Sequence, residues 1–236
     1  PILNIISPVS DSYITNSDMK ISLNETLKSG SITWISSEYE ESQIDLGLEY
    51  LAKGIHIISG SLLSIKENIP NTIKFTGVDL AGNEGIAEDI INVTYDGTPP
   101  EIKLTEPSSN SSVNHTRFSF STNETLSSGN ITWTATDGAD EASPHRLQLT
   151  DALLKVGEYN DYSMDRLNLV DGVFYSIAIQ GFDRAENLSE ISILENIKYD
   201  ITQPAFIHIS PSSDTLLNSI TLSYNLTEDL TEGKIS

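Results

Sequence analysis

Apolar and polar residues alternate with a period of two in several short stretches of the chain. The alternation is clearest at 19–23 ("MKISL") and returns at 118–120 ("FSF") and 220–224 ("ITLSY"). A period of two places alternate side chains on one face of a β-strand, so each stretch predicts a strand with a single buried face. No stretch has a long apolar stripe of helical period, and only 147–156 is expected to hold a helical turn. The chain is therefore predicted to be all-β.

The opening motif of the chain occurs three times. Its copies have a proline at each end and apolar residues between them: "PILNIISP" at 1–8, "PEIKLTEP" at 100–107 and "PAFIHISP" at 204–211. They are spaced by 99 and 104 residues (100 − 1 and 204 − 100). The same offsets align "NETLKSGSITW" at 24–34 with "NETLSSGNITW" at 123–133 and with "TEDLTEGKIS" at 227–236. Spacing of this kind indicates tandem structural repeats.

We predict three structural units, which we call the first, second and third repeats: residues 1–97, 98–201 and 202–236. The third repeat contains only the opening motifs, so we expect it to hold the first strands only. Because the second spacing exceeds the first by five residues (104 − 99), an insertion is expected mostly in "TATDGADEASPH" at 134–145. Each complete repeat is expected to bury a core of its own.

The two tryptophans are predicted to lie in those cores. Trp34 follows Ile32 by two residues, which places both side chains on one strand face. Trp133 stands in the same relation to Ile131. About seven short strands per repeat, separated by turns every 8 to 12 residues, predict an elongated array of immunoglobulin-like β-sandwiches.

Several motifs resemble the tandem bacterial Ig-like repeats of very long secreted and cell-surface proteins. The motifs are "SGxITW" at 29–34 and 128–133, "VDLAGN" at 78–83, "LVDGVFYSIAIQGFDRAEN" at 169–187, "YDGTPP" at 95–100 and "YDITQP" at 199–204. The resemblance implies an extracellular or cell-surface stalk, adhesin or surface-layer segment, without catalysis by the repeat. It implies as partners further Ig-like repeats of the same or neighbouring chains, and cell-surface glycans or proteins.

The net charge narrows the range of partners. The chain has 34 acidic and 13 basic residues, a formal charge of −21. This charge repels nucleic acids and anionic membrane surfaces and favours cations. No apolar run approaches the roughly 20 residues that cross a bilayer, so direct membrane insertion is not expected. Without cysteine the chain has neither disulfides nor thiolate metal ligands.

No catalytic motif is present. The sequence lacks GxSxG, HExxH, P-loop and GxGxxG patterns, and its four histidines are far apart, so neither an enzyme nor a zinc site is expected. The acidic run "SEYEESQID" at 37–45 has no apolar surroundings, and we interpret it as a solvated loop.

Acidic residues recur where neighbouring repeats would meet. In a sandwich, the turn between the second and third strands and the loop after the sixth strand lie at the same end as the preceding linker. Glu124 in that turn, and Asp183 with Asn187 in that loop, are thus expected to face Asp96 in the linker. Ca²⁺ prefers six to eight oxygen ligands. We therefore predict a calcium joint between the first and second repeats.

Partial equivalents of this site exist in the other repeats. Glu25, Asp79 and Asn83 are the counterparts in the first repeat, without an upstream linker in this sequence. Asp200 and Glu228 are the counterparts at the next joint, without a sixth strand after them.

A purely structural interpretation is the alternative. In "FTGVDLAGNEG" at 75–85, Asp79 ends the predicted sixth strand and would bond its own turn, as would Asp183. The asparagines four residues later would tolerate a left-handed conformation. The replacement of Gly82 by Glu186 predicts that the turn needs no positive φ there.

Two other functions compete with the stalk. The strands of the third repeat could pair with another molecule by strand addition, as in a surface layer or extracellular filament. A carbohydrate-binding accessory module of a secreted enzyme would instead need exposed aromatic side chains. Tyr159 and Tyr162 are the only modest aromatic cluster, and exposed tryptophans would favour this alternative.

Overall fold

The protein is represented by a computed structural model, which describes residues 1–163, 167–212, 216, 218, 221–230 and 232–234. Regular structure in these residues is nearly all β-strand, which confirms the predicted class. Their short 3-10 helices are Leu48–Tyr50, Gly60–Leu62 and Asp151–Leu154. The last of these is the helical turn expected within 147–156. Ile220, which the alternating pattern places in a strand, and the final residue Ser236 lie outside the described residues.

The first repeat consists of two sheets. Its strands are β1 (Leu3–Ser7), β2 (Tyr13–Ile14), β3 (Met19–Leu23), β4 (Leu27–Ser36), β5 (Glu41–Asp45), β6 (Gly54–Ile58), β7 (Pro70–Asp79), β8 (Glu84–Ile86) and β9 (Ile90–Tyr95). One sheet has the order β1-β3-β6, and the other has the order β2-β9-β7-β4-β5 with β8 paired to β7. Seven of these strands match the expected number, and the short strands β2 and β8 are additional.

The second repeat has the same topology. Its strands are β10 (Ile102–Glu106), β11 (Ser112–Val113), β12 (Arg117–Thr122), β13 (Leu126–Asp137), β14 (His145–Gln148), β15 (Gly157–Ser163), β16 (Phe174–Asp183) and β17 (Ser192–Tyr199). The sheet orders are β10-β12-β15 and β11-β17-β16-β13-β14. The strand pairs of both repeats are antiparallel except for β2 with β9 and β11 with β17, which are parallel. Two facing sheets with this strand order form an immunoglobulin-like sandwich.

The insertion lies in the hairpin between β13 and β14. β13 has 12 residues whereas β4 has 10, and the connection that follows runs over 138–144 instead of 37–40. Asp140 anchors the longer hairpin, because His145 Nε2 and Tyr175 Oη each lie 2.7 Å from its Oδ2. The hydrogen bond from His145 is the main reason that the pKa of Asp140 lies below its usual value.

Each complete repeat has its own hydrophobic core. The alternation at 19–23 buries Met19, Ile21 and Leu23 against Ile32 and Trp34 of the opposite sheet. The described buried residues of the second core all lie between 102 and 197. Burial of apolar surface between the two sheets is the main stabilising contribution in such a sandwich.

The tryptophans are buried as predicted, with exposures of 1% for Trp34 and 0% for Trp133. Trp34 Nε1 donates to Met19 Sδ at 3.1 Å. In the second repeat Phe118 takes the place of Met19, and Trp133 Nε1 has no hydrogen-bond partner among the described residues. An unpaired buried donor lowers stability, so the two cores differ in this polar contact.

The third repeat contributes one described hairpin, in which β18 (Phe206–Ser210) pairs antiparallel with β19 (Ser223–Leu226). The single buried face predicted for 220–224 is wrong for the described residues there. Leu222 and Tyr224 are 45% and 42% exposed, because no described second sheet covers this hairpin.

Candidate metal site at the first joint

The first joint comprises linker residues 96–100 and the end of the second repeat that faces them. Asp96 directly follows β9, and its backbone N–H donates to Ile14 O at 2.9 Å. Glu124 lies in the turn between β12 and β13, and Asp183 is the last residue of β16. Three segments that are distant in sequence therefore each contribute one acidic residue to the first joint.

The carboxylates of Asp96, Glu124 and Asp183 converge at this joint. One oxygen atom from each of the three lies within 4.8 Å of the others. Asp183 is fully buried, Asp96 is 3% exposed, and Glu124 is partly buried. The tertiary structure thus brings together the three acids that the topological argument placed at this joint.

Asn187 is adjacent, but it contacts the acids as a donor. Its backbone N–H donates to Asp183 Oδ1 at 2.9 Å, and its Nδ2 donates to Asp183 Oδ2 at 2.7 Å. Nδ2 also donates to the backbone oxygen of Asp96 at 2.8 Å. In this arrangement Asn187 ties the turn of the second repeat to the linker, and it orients one of the acids.

The acids repel one another in a partly desolvated place. Burial, together with the neighbouring charges of Asp96, Asp183 and Glu67, raises the pKa of Glu124 to about 7. Burial is also the main reason that the pKa of Asp96 is raised. Across the described part of the chain, no basic group forms an ion pair with the three converging carboxylates. A bound cation would relieve this repulsion.

Glu67 is a joint residue that the sequence analysis missed. Its Oε1 accepts from Gly97 N at 3.2 Å, and its Oε2 accepts from Thr98 Oγ1 at 2.6 Å. Asp171 occupies the same place in the second repeat and accepts in the same way from residues 201 and 202. The recurrence of an acid shortly before the sixth strand of both repeats is the signal that could have revealed this linker clamp.

A second contact across the joint involves Tyr13 and Arg184. Arg184 Nη1 donates to Tyr13 Oη at 3.0 Å, and its guanidinium carbon lies 5.5 Å from the ring centroid. This geometry combines a hydrogen bond with a cation–π interaction. Because the two residues belong to different repeats, the contact constrains the orientation of one repeat against the other.

The counterparts in the first repeat form a turn. Asp79 Oδ1 accepts from Ala81 N at 2.8 Å and from Asn83 N at 2.9 Å, and Oδ2 accepts from Asn83 Nδ2 at 2.7 Å. The side-chain hydrogen bond from Asn83 is the main reason that the pKa of Asp79 is lowered. Glu25 Oε1 lies 3.3 Å from Pro1 N, at the place that corresponds to the linker. Among the described residues these three do not converge as a group of acids.

One expectation about the turn itself is wrong. Gly82 and Glu186 both have positive φ, 89° and 69°, so the turn requires this conformation in both copies. The asparagines four residues after Asp79 and Asp183 do not have positive φ and instead donate to those acids. In the first repeat the turn leads into β8, which precedes the seventh long strand.

At the second joint, linker residues 200–204 face the third repeat. Asp200 is engaged by Lys198, whose Nζ lies 2.7 Å from Asp200 Oδ2. Glu228 Oε1 is buried and has no hydrogen-bond partner among the described residues. These two acids do not form a converging group with a third described acid.

The aromatic cluster of the second repeat is engaged within its sheet. Tyr159 stacks on Phe120 with ring centroids 4.7 Å apart, and Tyr162 meets Phe118 edge-on at 5.6 Å. The buried tryptophans likewise leave no indole ring exposed for a sugar. Tyr162 is 40% exposed and Tyr159 is half-buried, but both rings lie against phenylalanines of β12 and do not form the exposed aromatic row that a carbohydrate-binding module needs.

The raised pKa of Glu124 predicts a pH effect in the absence of divalent cations. A carboxyl whose pKa is raised in the folded state favours folding most when it is protonated. The free energy of unfolding therefore falls as the pH rises from 4.5, the ordinary pKa of this group, to about 7, its pKa in the folded protein. We expect Glu124→Gln to stabilise the metal-free protein by about 1–2 kcal/mol at pH 8. The difference should vanish below pH 4.5. Urea unfolding at both pH values measures it, and equal stability at pH 8 would contradict the burial of this charge.

No family model matches the chain, and no curated protein matches it. Its similarity to solved structures is one of fold. A two-domain fibronectin type-III segment of chicken tenascin is 14% identical, with 82% of this chain and 97% of that chain covered and a TM-score of 0.34. A tetra-tandem repeat in the extending region of a large adhesion protein is 16% identical (87% and 50% covered, TM-score 0.37). A solved chain from a 1.5-MDa bacterial ice-binding adhesin is 13% identical, with 89% of this chain and 68% of that chain covered and a TM-score of 0.36. No helix in the described residues is long and apolar enough to cross a membrane.

Proposed function

We propose that the chain is a non-catalytic stalk segment of a large repetitive extracellular or cell-surface protein, and that calcium rigidifies its first joint. The observation that carries the proposal is the convergence of Asp96, Glu124 and Asp183 from the linker and from two loops at one end of the second repeat. A cation held by all three would tie the linker to the sandwich that follows it.

The chemistry of the donors fits calcium. The three carboxylates offer only hard oxygen ligands, and they include neither the histidine nor the cysteine that zinc sites use. Calcium tolerates irregular geometry and completes its shell with backbone oxygens and water. When bound, the ion would supply positive charge. The residues of this chain would supply the ligands, with Asn187 holding Asp183 in place.

The arrangement of the repeats supports a mechanical role. Each complete repeat has a separate core, and the linker between them is short and contains Pro99 and Pro100. Glu67 clamps this linker to the first repeat, and the contact between Tyr13 and Arg184 joins the two repeats directly. A chain of sandwiches with restrained joints transmits force and holds attached domains at a distance.

Calcium titration by isothermal calorimetry tests the site. We expect one Ca²⁺ per chain, and we expect Glu124→Gln to weaken binding by about a hundredfold, because a ligand charge is lost. Glu25→Gln is the matched control. Glu25 occupies the same turn position in the first repeat, but it does not belong to the converging group of carboxylates. Absence of calcium binding, or an equal loss in both variants, would contradict the proposal.

A further inference from the structure

The second joint repeats most of the polar contacts of the first. Asp171 Oδ2 accepts from Thr202 Oγ1 at 2.6 Å, as Glu67 accepts from Thr98 at the first joint. Asp200 Oδ1 accepts from Thr202 N at 3.2 Å. Asp96 accepts from its own linker threonine at 3.3 Å. The acids that hold the linker to the preceding repeat are thus present at both joints.

The second joint has no described counterpart of Asp183, and it differs from the first joint also in one basic residue. Lys198 lies two residues before Asp200, and the corresponding residue of the first repeat, two residues before Asp96, is Thr94. Lys198 Nζ lies 2.7 Å from Asp200 Oδ2. The three converging acids of the first joint have no described basic partner. At the second joint, the ammonium group of Lys198 supplies a positive charge.

The ammonium group faces more than one acid. Its hydrogen bond to Asp200 is the main reason that the pKa of Lys198 is raised, and the charges of Glu228 and Asp171 add to the effect. Glu228 Oε1 is buried without a described hydrogen-bond partner, so the nearby positive charge is its compensation. A tethered ammonium group both neutralises these acids and repels an approaching divalent cation.

We propose that Lys198 is the permanent cation of the second joint and replaces there the calcium ion that we assign to the first. This inference rests on the proposed function of the first joint. The array then combines a joint that responds to calcium with one that is independent of it. A fall in calcium concentration would loosen the chain at the first joint and leave the second unchanged.

Amide hydrogen exchange in the whole chain tests the role of Lys198. The reporters are the amides of Ile201 and Thr202, which donate to Asp171 and Asp200. Without calcium, we expect Lys198→Met to accelerate their exchange by about tenfold, because Asp200 loses its counter-charge. Lys198→Arg should keep the wild-type rates, and calcium should not change them in the wild-type protein. Unchanged exchange in Lys198→Met would overturn the proposal.

The calcium stoichiometry separates the two proposals. One ion per wild-type chain supports the calcium joint, and the exchange rates of Lys198→Met then decide the lysine proposal. Two ions, with the second lost in Glu228→Gln, would show that the second joint binds metal despite Lys198, and would overturn only the lysine proposal. No bound ion would refute the calcium joint and with it the replacement. The exchange rates would then still decide whether Lys198 holds the second joint.

Discussion

Replacing Trp133 by alanine is expected to lower the free energy of unfolding of the second repeat by about 3–5 kcal/mol. The indole ring is fully buried and packs edge-on against Tyr175, with ring centroids 6.1 Å apart. Its removal leaves a cavity between the two sheets that the neighbouring strands can close only in part. A loss of this size is a large fraction of the roughly 5–15 kcal/mol that stabilises a typical domain.

The same variant tests whether the repeats unfold independently. Calorimetry of Trp133→Ala should show one transition at a lower temperature and one transition unchanged, because the core of the first repeat shares no residue with that of the second. Trp34→Ala is the matched control and should shift the other transition. If each variant shifts both transitions equally, the repeats unfold as one unit, and the predicted boundaries at 97 and 201 do not separate folding units.

Saturating calcium is expected to stabilise the second repeat by about 2.7 kcal/mol when the free ion is at 100 times its dissociation constant. The ion would bind Asp183 and Glu124 in their folded positions, and these positions are lost on unfolding. Thermal unfolding at pH 8 with and without calcium measures the difference, and magnesium at the same concentration serves as a control. The smaller magnesium ion requires more regular octahedral geometry, so its effect should be smaller.

Glu124→Gln should reverse the order of stability between the two conditions. Without calcium the variant is expected to be more stable than the wild-type protein, since it lacks a repelled charge. With calcium it should be the less stable of the two, because the stabilisation by the ion is reduced. Glu25→Gln should follow the wild-type protein in both conditions. A calcium effect that is the same in all three proteins would place the ion elsewhere.

The candidate site could be predicted from the sequence because the fold is repetitive. Once Asp183 is placed at the end of the sixth strand and Glu124 in the turn after the second, the topology of a sandwich brings both to the linker. Glu67 was missed because its side chain reaches the linker from a loop whose path no periodicity describes. The pairing of Lys198 with Asp200 was missed for a related reason. The acid that lies next to a surface lysine depends on the path of the linker, which the sequence pattern does not describe.

The local sequence pattern also gave a wrong prediction for the backbone conformation of the turn after the sixth strand. Glu186 adopts positive φ although it has a side chain, because the hydrogen bonds from Asn187 to Asp183 close the turn in that conformation. The replacement of glycine by glutamate therefore indicated, wrongly, that the turn can form without positive φ at this position.

The sequence by itself determined the all-β class, the positions of the clearly alternating strands, the repeat and the burial of both tryptophans, because alternation along a strand depends on local geometry alone. Only the tertiary structure decided which acids share a joint and at what distance. It also decided that Asn187 donates to them and that Lys198 neutralises the second joint. These features depend on side chains from segments far apart in the chain, whose positions follow from the packing of the sheets and from the path of the linker.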